Sequence, residues 1–200
     1  MRDRFCVFLY LVLASFGPVT ATAQQVDPLV QSGSIVVAGK ATPYLIRNLP
    51  VSSFPELPAA VANSLGAKGC VIPQTYEAKR PENVVHASLE GPGSEDWAVL
   101  CAAQGKVSLL VFFASGVATK PFVLKAVTET DRLQAHDASG QLGFNWGIDP
   151  ASPSRVHDAQ AGMRHRPPLL DHDCLADSII DYRTVYRFYR NGEWGRVDVD

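Results

Sequence analysis

Asp171-His172-Asp173-Cys174-Leu175-Ala176-Asp177 is the segment whose residue types come nearest to doing chemistry. Its carboxylates stand at offsets 1, 3 and 7, part of the pattern of an acidic calcium loop. Such a loop offers alternating hard oxygens to a cation that takes roughly six to eight of them. Asp171, Asp173 and Asp177 are therefore the candidate metal ligands, and calcium is the candidate cofactor. The pattern lacks the Gly that makes the sharp turn, since Cys174 and Leu175 occupy that region. It also lacks a Glu at the distance an EF-hand requires. The competing reading makes Asp171 or Asp173 the cap of a short helix, LADSII, ahead of the last hairpin, because a carboxylate accepts from the free N–H groups of a helix start.

Other reactive residue types do not assemble in the sequence. The histidines are His86, His136, His157, His165 and His172, and three are followed by Asp. None stands at i, i+4 with a second ligand, so no zinc signature forms. Neighbouring residues of a strand point to opposite faces, so adjacency alone makes no His–Asp dyad. These histidines read as loop or surface residues. There is no G-x-S-x-G elbow, and Ser94 is followed by Glu95 and Asp96, whose charges would repel a developing oxyanion. Gly91-Pro92-Gly93 lacks the Lys and Ser/Thr of a phosphate-binding loop. Trp97 and Trp146 read as core residues, while Trp194 suits either a core or a sugar platform. No catalytic residue and no cofactor-binding residue is assigned.

The elements that must position these residues are mostly strands. Residues 83–90 (NVVHASLE) alternate apolar and polar over part of their length, Trp97–Cys101 is an apolar run, and 107–116 (VSLLVFFASG) is the strongest strand pattern. Together they predict a three-stranded antiparallel meander over 84–115. Asn191-Gly192 between two strand-like runs predicts a type I′ hairpin over 184–199. Residues 121–134 (PFVLKAVTETDRLQ) suggest a strand and then a short helix, and 142–148 a strand that pairs with the meander. A helix is predicted near 55–65. Ser53 and Glu56 have capping-box spacing, and Leu57, Val61 and Leu65 share a face. Pro55 and Pro58 are tolerated only near a helix start. Residues 149–168 hold four prolines and read as a long loop with room for a short strand around Val156. The predicted fold class is α+β, a single domain dominated by antiparallel sheet.

The first residues give an address. Arg2 and Arg4 precede an apolar run, Phe5–Phe16, that is too short to cross a hydrocarbon core needing about 20 residues. Gly17-Pro18 breaks the run, and Ala21-Thr22-Ala23 suits cleavage near Ala23. The plan is thus a signal peptide at 1–23, a polar extended leader at 24–50 and a globular domain at 51–200, secreted or periplasmic. Cys6 is not at the cleavage site, so no lipid anchor is expected, and no later stretch reaches spanning length. The formal charge is −2 with no basic stripe, which argues against nucleic-acid binding. In an oxidising compartment two of Cys70, Cys101 and Cys174 should bridge. Cys70–Cys101 is favoured because two apolar segments would lie side by side, closing a loop worth roughly 3–4 kcal/mol. The alternative is three buried thiols acting as small apolar residues.

Gly69-Cys70-Val71-Ile72-Pro73-Gln74, Asp96 to Cys101, Leu109 to Phe112, and Asp171 to Asp177 with Tyr186 to Trp194 resemble a family of uncharacterised bacterial secreted proteins. Its blocks read GC-x-IPQ, DWAVLC, LLVF and DHDGIED followed by GKW. Cys174 stands where that family has Gly. The resemblance covers roughly 54–115 and 168–200, and implies an exported compartment and a chain plan without a reaction. The same stretches loosely resemble FG-GAP-type repeats, of which two cannot close a propeller. The expected function is a non-enzymatic binding or envelope-associated module with a protein or small ligand as partner. The alternatives are a metal-assisted hydrolase using the 171–177 loop, and an inhibitor of an external enzyme. For calcium, the three carboxylates must converge within about 2.3–2.6 Å of one point.

Overall fold

The computed structural model describes residues 29–164, 166 and 169–199, so the segment read as a signal peptide lies outside the described residues. The first sheet has nine strands: β1 (Leu29–Val37), β2 (Lys40–Pro50), β3 (Val71–Gln74), β4 (Val84–Ala87), β5 (Asp96–Ala103), β6 (Lys106–Phe112), β7 (Phe122–Thr128), β8 (Leu133–Ala135) and β9 (Leu142–Phe144). The second has four, in chain order across the sheet: β10 (Trp146–Ala151), β11 (Cys174–Ile179), β12 (Arg183–Arg190) and β13 (Glu193–Val199). Two short helices, α1 (Ala59–Ala67) and α2 (Pro153–Ala159), complete an α+β domain. Every ladder is antiparallel except the short parallel contact of β2 with β9.

The predicted meander forms. β4 pairs β5 from Val84↔Val99 to Ala87↔Asp96, and β5 pairs β6 from Trp97↔Phe112 to Ala103↔Lys106. Gln104 and Gly105 close the second pair with φ of 52° and 74°, the geometry that matches strand twist. The apolar run of β5 reflects burial on both faces. Ala98, Leu100 and Ala102 face a core shared with the second sheet, through Trp146, Ile148 and Leu175. Trp97, Val99 and Cys101 face α1, through Val61 and Leu65. The period of two thus lets one strand serve two cores. The disulfide lies in the helix-side core, with Cys70 and Cys101 Cα atoms 5.1 Å apart.

The terminal hairpin also forms, with φ of 53° at Asn191 and 85° at Gly192. Trp194 on it packs with Phe113, Phe122 and Tyr189, joining the two sheets at that end.

Several expectations are corrected. Residues 29–50 are no leader: β2 pairs β1, β3 and β9 and lies within the first sheet. The helix begins at Ala59, and the Ser53–Glu56 capping box does not form. Pro55 and Pro58 lack the N–H that an earlier start would use, so Val51–Ser53 makes only a 3-10 turn. LADSII is the buried strand β11, paired on both sides, so neither Asp171 nor Asp173 caps a helix. Residues 142–148 split at Asn145 into β9 and β10, which belong to different sheets. Within 149–168, Pro153 opens α2 and the Ser152 hydroxyl accepts from Arg155 N.

Cys174 is a buried free thiol, pushed up to about 12 by burial, with the Asp173 charge adding to it. At pH 8 the native protein should therefore leave Cys174 unreacted with Ellman's reagent, and unfolding without reductant should release its reactivity. Rapid labelling of Cys174 in the folded state would contradict the packing. Reducing Cys70–Cys101 should cost about 3–4 kcal/mol in denaturant unfolding, given its 31-residue separation.

Candidate functional site

The structure sends Asp171, Asp173 and Asp177 to three different partners. Asp171 is exposed, and its Oδ1 lies 2.7 Å from His172 Nδ1. Asp173 makes a two-way bond with Ser88: its N–H donates to Ser88 O at 3.0 Å and its Oδ2 accepts from Ser88 N at 3.2 Å. Asp177 is buried on β11, where it accepts from Trp146 Nε1 at 2.6 Å and Arg187 Nε at 2.7 Å. The expected calcium loop is thus corrected. Among the described residues no group of three His, Cys, Asp or Glu side chains is placed to hold a metal ion. The reason is local. Residues 174–177 are extended at about 3.3 Å per residue, which carries Asp177 roughly 13 Å from Asp173 and into the core.

Asp177 instead anchors a buried charge cluster. Lys125 Nζ on β7 lies 3.5 Å from its Oδ2, and Lys125 and Arg132 both lie over the Trp146 ring. Burial pushes the Lys125 ammonium below its ordinary value, against the upward pull of Asp177 and with Arg132 and Arg187 adding to the fall.

Asp171 and His172 do line a site. A cleft of about 360 Å³ opens between Glu90–Pro92, Leu169–His172 and Tyr189–Asn191. Its walls come from segments of both sheets.

The first wall is held by Asp96, which is fully buried at the start of β5. Its Oδ2 accepts from Leu89 N at 2.8 Å, from Glu90 N at 2.7 Å and from the Ser94 hydroxyl. Its Oδ1 accepts from Ala114 N at 2.7 Å. One carboxylate thus satisfies the backbone donors of a loop that no strand pairs, which fixes Glu90 at the cleft edge. Ser115 Oγ donates to Glu90 Oε1 at 2.6 Å. In the sequence Asp96 stands out only as a charge that would oppose an oxyanion. The signal for its real role was its position, an Asp between a Gly/Ser loop and an apolar strand, where short acidic side chains capture loop N–H groups.

The second and third walls meet at His172, which is buried. Its Nε2 lies 2.7 Å from Tyr189 O, and its Nδ1 faces Asp171. The Nε2 contact ties the 169–172 segment to the terminal hairpin, while the Nδ1 contact stays within the segment. Residues 171–173 are irregular rather than extended, which is why a neighbouring Asp and His can bond here. Hydrogen bonding to His172, then to backbone, holds the Asp171 carboxyl below the usual range, with Arg190 contributing. The cleft lining thus carries two carboxylates, Glu90 and Asp171, and one guanidinium, Arg190.

The remaining histidines have structural surroundings. His86 stacks on Trp97 and pairs with Glu95 at 2.6 Å. His136 stacks on Tyr76 at 4.7 Å beside a smaller groove of about 210 Å³. Tyr76 donates to Asp181 Oδ2 at 2.8 Å, and burial with that bond pushes its hydroxyl up to about 12. His157 lies on α2, and His165 is outside the described residues. Trp97 and Trp146 are buried core residues, as expected.

No family model, curated protein or solved structure matches the chain. No helix among the described residues is long and apolar enough to cross a membrane.

The Asp171–His172 bond has a pH signature. A carboxyl lowered by folding contributes stability above its unfolded pKa of about 3.9, and loses that contribution as pH falls through the folded value. NMR titration of the Asp171 carboxyl should give a midpoint below the ordinary value, and His172→Phe should raise it. An unchanged midpoint in that variant would remove the bond from the account.

Proposed function

We propose that the protein is an exported, non-enzymatic binding module whose ligand sits in the cleft between Glu90–Pro92, Leu169–His172 and Tyr189–Asn191. The observation that carries this reading is the pinning of the walls. Asp96 fixes one and His172 joins the other two, so the cleft is formed before any ligand arrives, as binding sites usually are. Its volume falls in the range of small-molecule sites. Carboxylates and a guanidinium in one lining, Glu90, Asp171 and Arg190, suit a ligand with both a cationic and an anionic group, such as a short peptide or amino acid. Both ring nitrogens of His172 face protein oxygens rather than the open cleft, which favours a binding role. The Cys70–Cys101 bridge supports an oxidising compartment, consistent with the signal-like first residues.

Amide chemical-shift mapping with amino acids and short polar peptides at up to millimolar concentration tests the reading. Shifts should cluster at 88–92, 169–172 and 189–191, and Arg190→Ala with Glu90→Gln should abolish them while the spectrum stays folded. Shifts confined to the Tyr76–His136 groove, or none at all, would overturn the assignment.

A further inference from the structure

We propose that β1 is a self-association edge: two copies pair antiparallel through β1, centred on Gly33, and merge their first sheets into one.

Among the described residues β1 pairs only with β2, which leaves its other edge open. Open edges in natural sheets are guarded by charge, proline, bulges or shortness. The other outer strands carry such guards. β4, which pairs only β5, is four residues long, β7 has Lys125 and a register irregularity against β6, β8 is three residues long, β10 has Asp149 and Pro150, and β13 has Glu193, Arg196 and Asp198. β1 has none. Its nine residues, LVQSGSIVV, hold no charge and no proline, and their register against β2 is unbroken. Val36 is 74% exposed, Val30 57%, Leu29 52% and Val37 44%.

The hydrogen-bond parity of the hairpin says which groups the open edge offers. Ala38 and Gly39, with φ of 48° and 80°, form a two-residue turn of the primed type closed by Val37↔Lys40. That closing pair exchanges both of its bonds, and such pairs alternate along an antiparallel ladder. Residues 37, 35, 33, 31 and 29 therefore spend their backbone groups on β2. Val30, Ser32, Ser34 and Val36 aim theirs away from it.

The sequence then selects the occupant. Read from Gly33 outward, β1 runs Ser, Gln or Ile, Val, and Leu or Val in both directions. A two-fold pairing about Gly33 sets Val30 against Val36 of the second copy and Ser32 against Ser34, all outward-facing groups that can bond. It sets Leu29 against Val37 on the other face. A one-residue slip breaks the parity, and a two-residue slip in either direction sets valine against serine. The central glycine has its own reason: a Cβ there would lie 2.7 Å from the Tyr44 hydroxyl oxygen and 2.8 Å from its ring, which covers Gly33. A formal charge of −2 opposes the approach of two copies only weakly.

Sedimentation velocity of the purified protein over a wide concentration range tests this, with circular dichroism as the folding control. The native protein should show a monomer–dimer equilibrium. V30K/V36K, which sets like charges across each pair, should weaken it about tenfold or more. V30E/V36K sets opposite charges across the same pairs and should restore it. Ser32→Pro removes an outward N–H without touching the β2 ladder and should give monomer with unchanged dichroism. A native protein that is monomeric throughout would overturn the proposal. So would a dimer indifferent to V30K/V36K, or charge variants that behave alike, which would mean another register or an unrelated strand as the occupant.

Discussion

The two sheets are held as one body by the side chain of Asn83. It is buried between them with φ of 70°, a left-handed conformation that Asn tolerates better than most residues. Its Nδ2 donates to Pro73 O on β3 at 2.6 Å and to Trp146 O on β10 at 3.3 Å. Its Oδ1 accepts from Ile148 N on β10 at 2.9 Å, and its carbonyl accepts from Leu100 N on β5 at 3.0 Å. The carboxamide supplies two donor hydrogens and an acceptor oxygen on one short side chain, as the two donated bonds and one accepted bond of this joint require. Removing it would leave buried backbone groups unpaired, at about 1–3 kcal/mol each. The Asp177 cluster completes the joint, since its Arg187 and Trp146 partners belong to the second sheet and Lys125 to the first.

The cleft follows from that joint. With the sheets fixed, Asp173 on the approach to β11 can bond Ser88 after β4 in both directions. The 88–92 loop is thereby tied to both sheets, by Asp173 on one side and Asp96 on the other. His172 then ties the same approach segment to the terminal hairpin. Asn83 and Asp96 are both buried where separate segments meet, and each bonds several backbone groups through its side chain. That is how a sheet-rich fold without long helices obtains a formed concavity.

Much of the sheet was legible because its signals are local. The apolar run of β5, the strand pattern of 107–116 and Asn191-Gly192 each specify geometry within a few residues. The Cys70–Cys101 bridge was legible because the apolar segments flanking the two cysteines had to pack together. The errors have a common cause in contacts that are distant in sequence. LADSII has apolar residues suited to a helix, but β10 and β12 on either side make it a strand. Residues 29–50 look weakly patterned because one half of the hairpin is exposed and only the end of β2 is buried. In the site, Asp171 and His172 were legible as reactive types. Asp96 and Asn83 were not, because their role is to satisfy backbone groups of segments that only the fold brings near. The acidic spacing of 171–177 misled because a strand turns even spacing into distance.

Site-resolved amide hydrogen exchange tests the central claim, that buried polar side chains lock the two sheets and the cleft loop into one rigid unit. The amides of Ile148 and Leu100, bonded to Asn83, and of Leu89 and Glu90, bonded to Asp96, should exchange only through global unfolding. Their protection should match that of the central residues of β5. Exchange of these four amides through local opening, while β5 stays protected, would contradict the account.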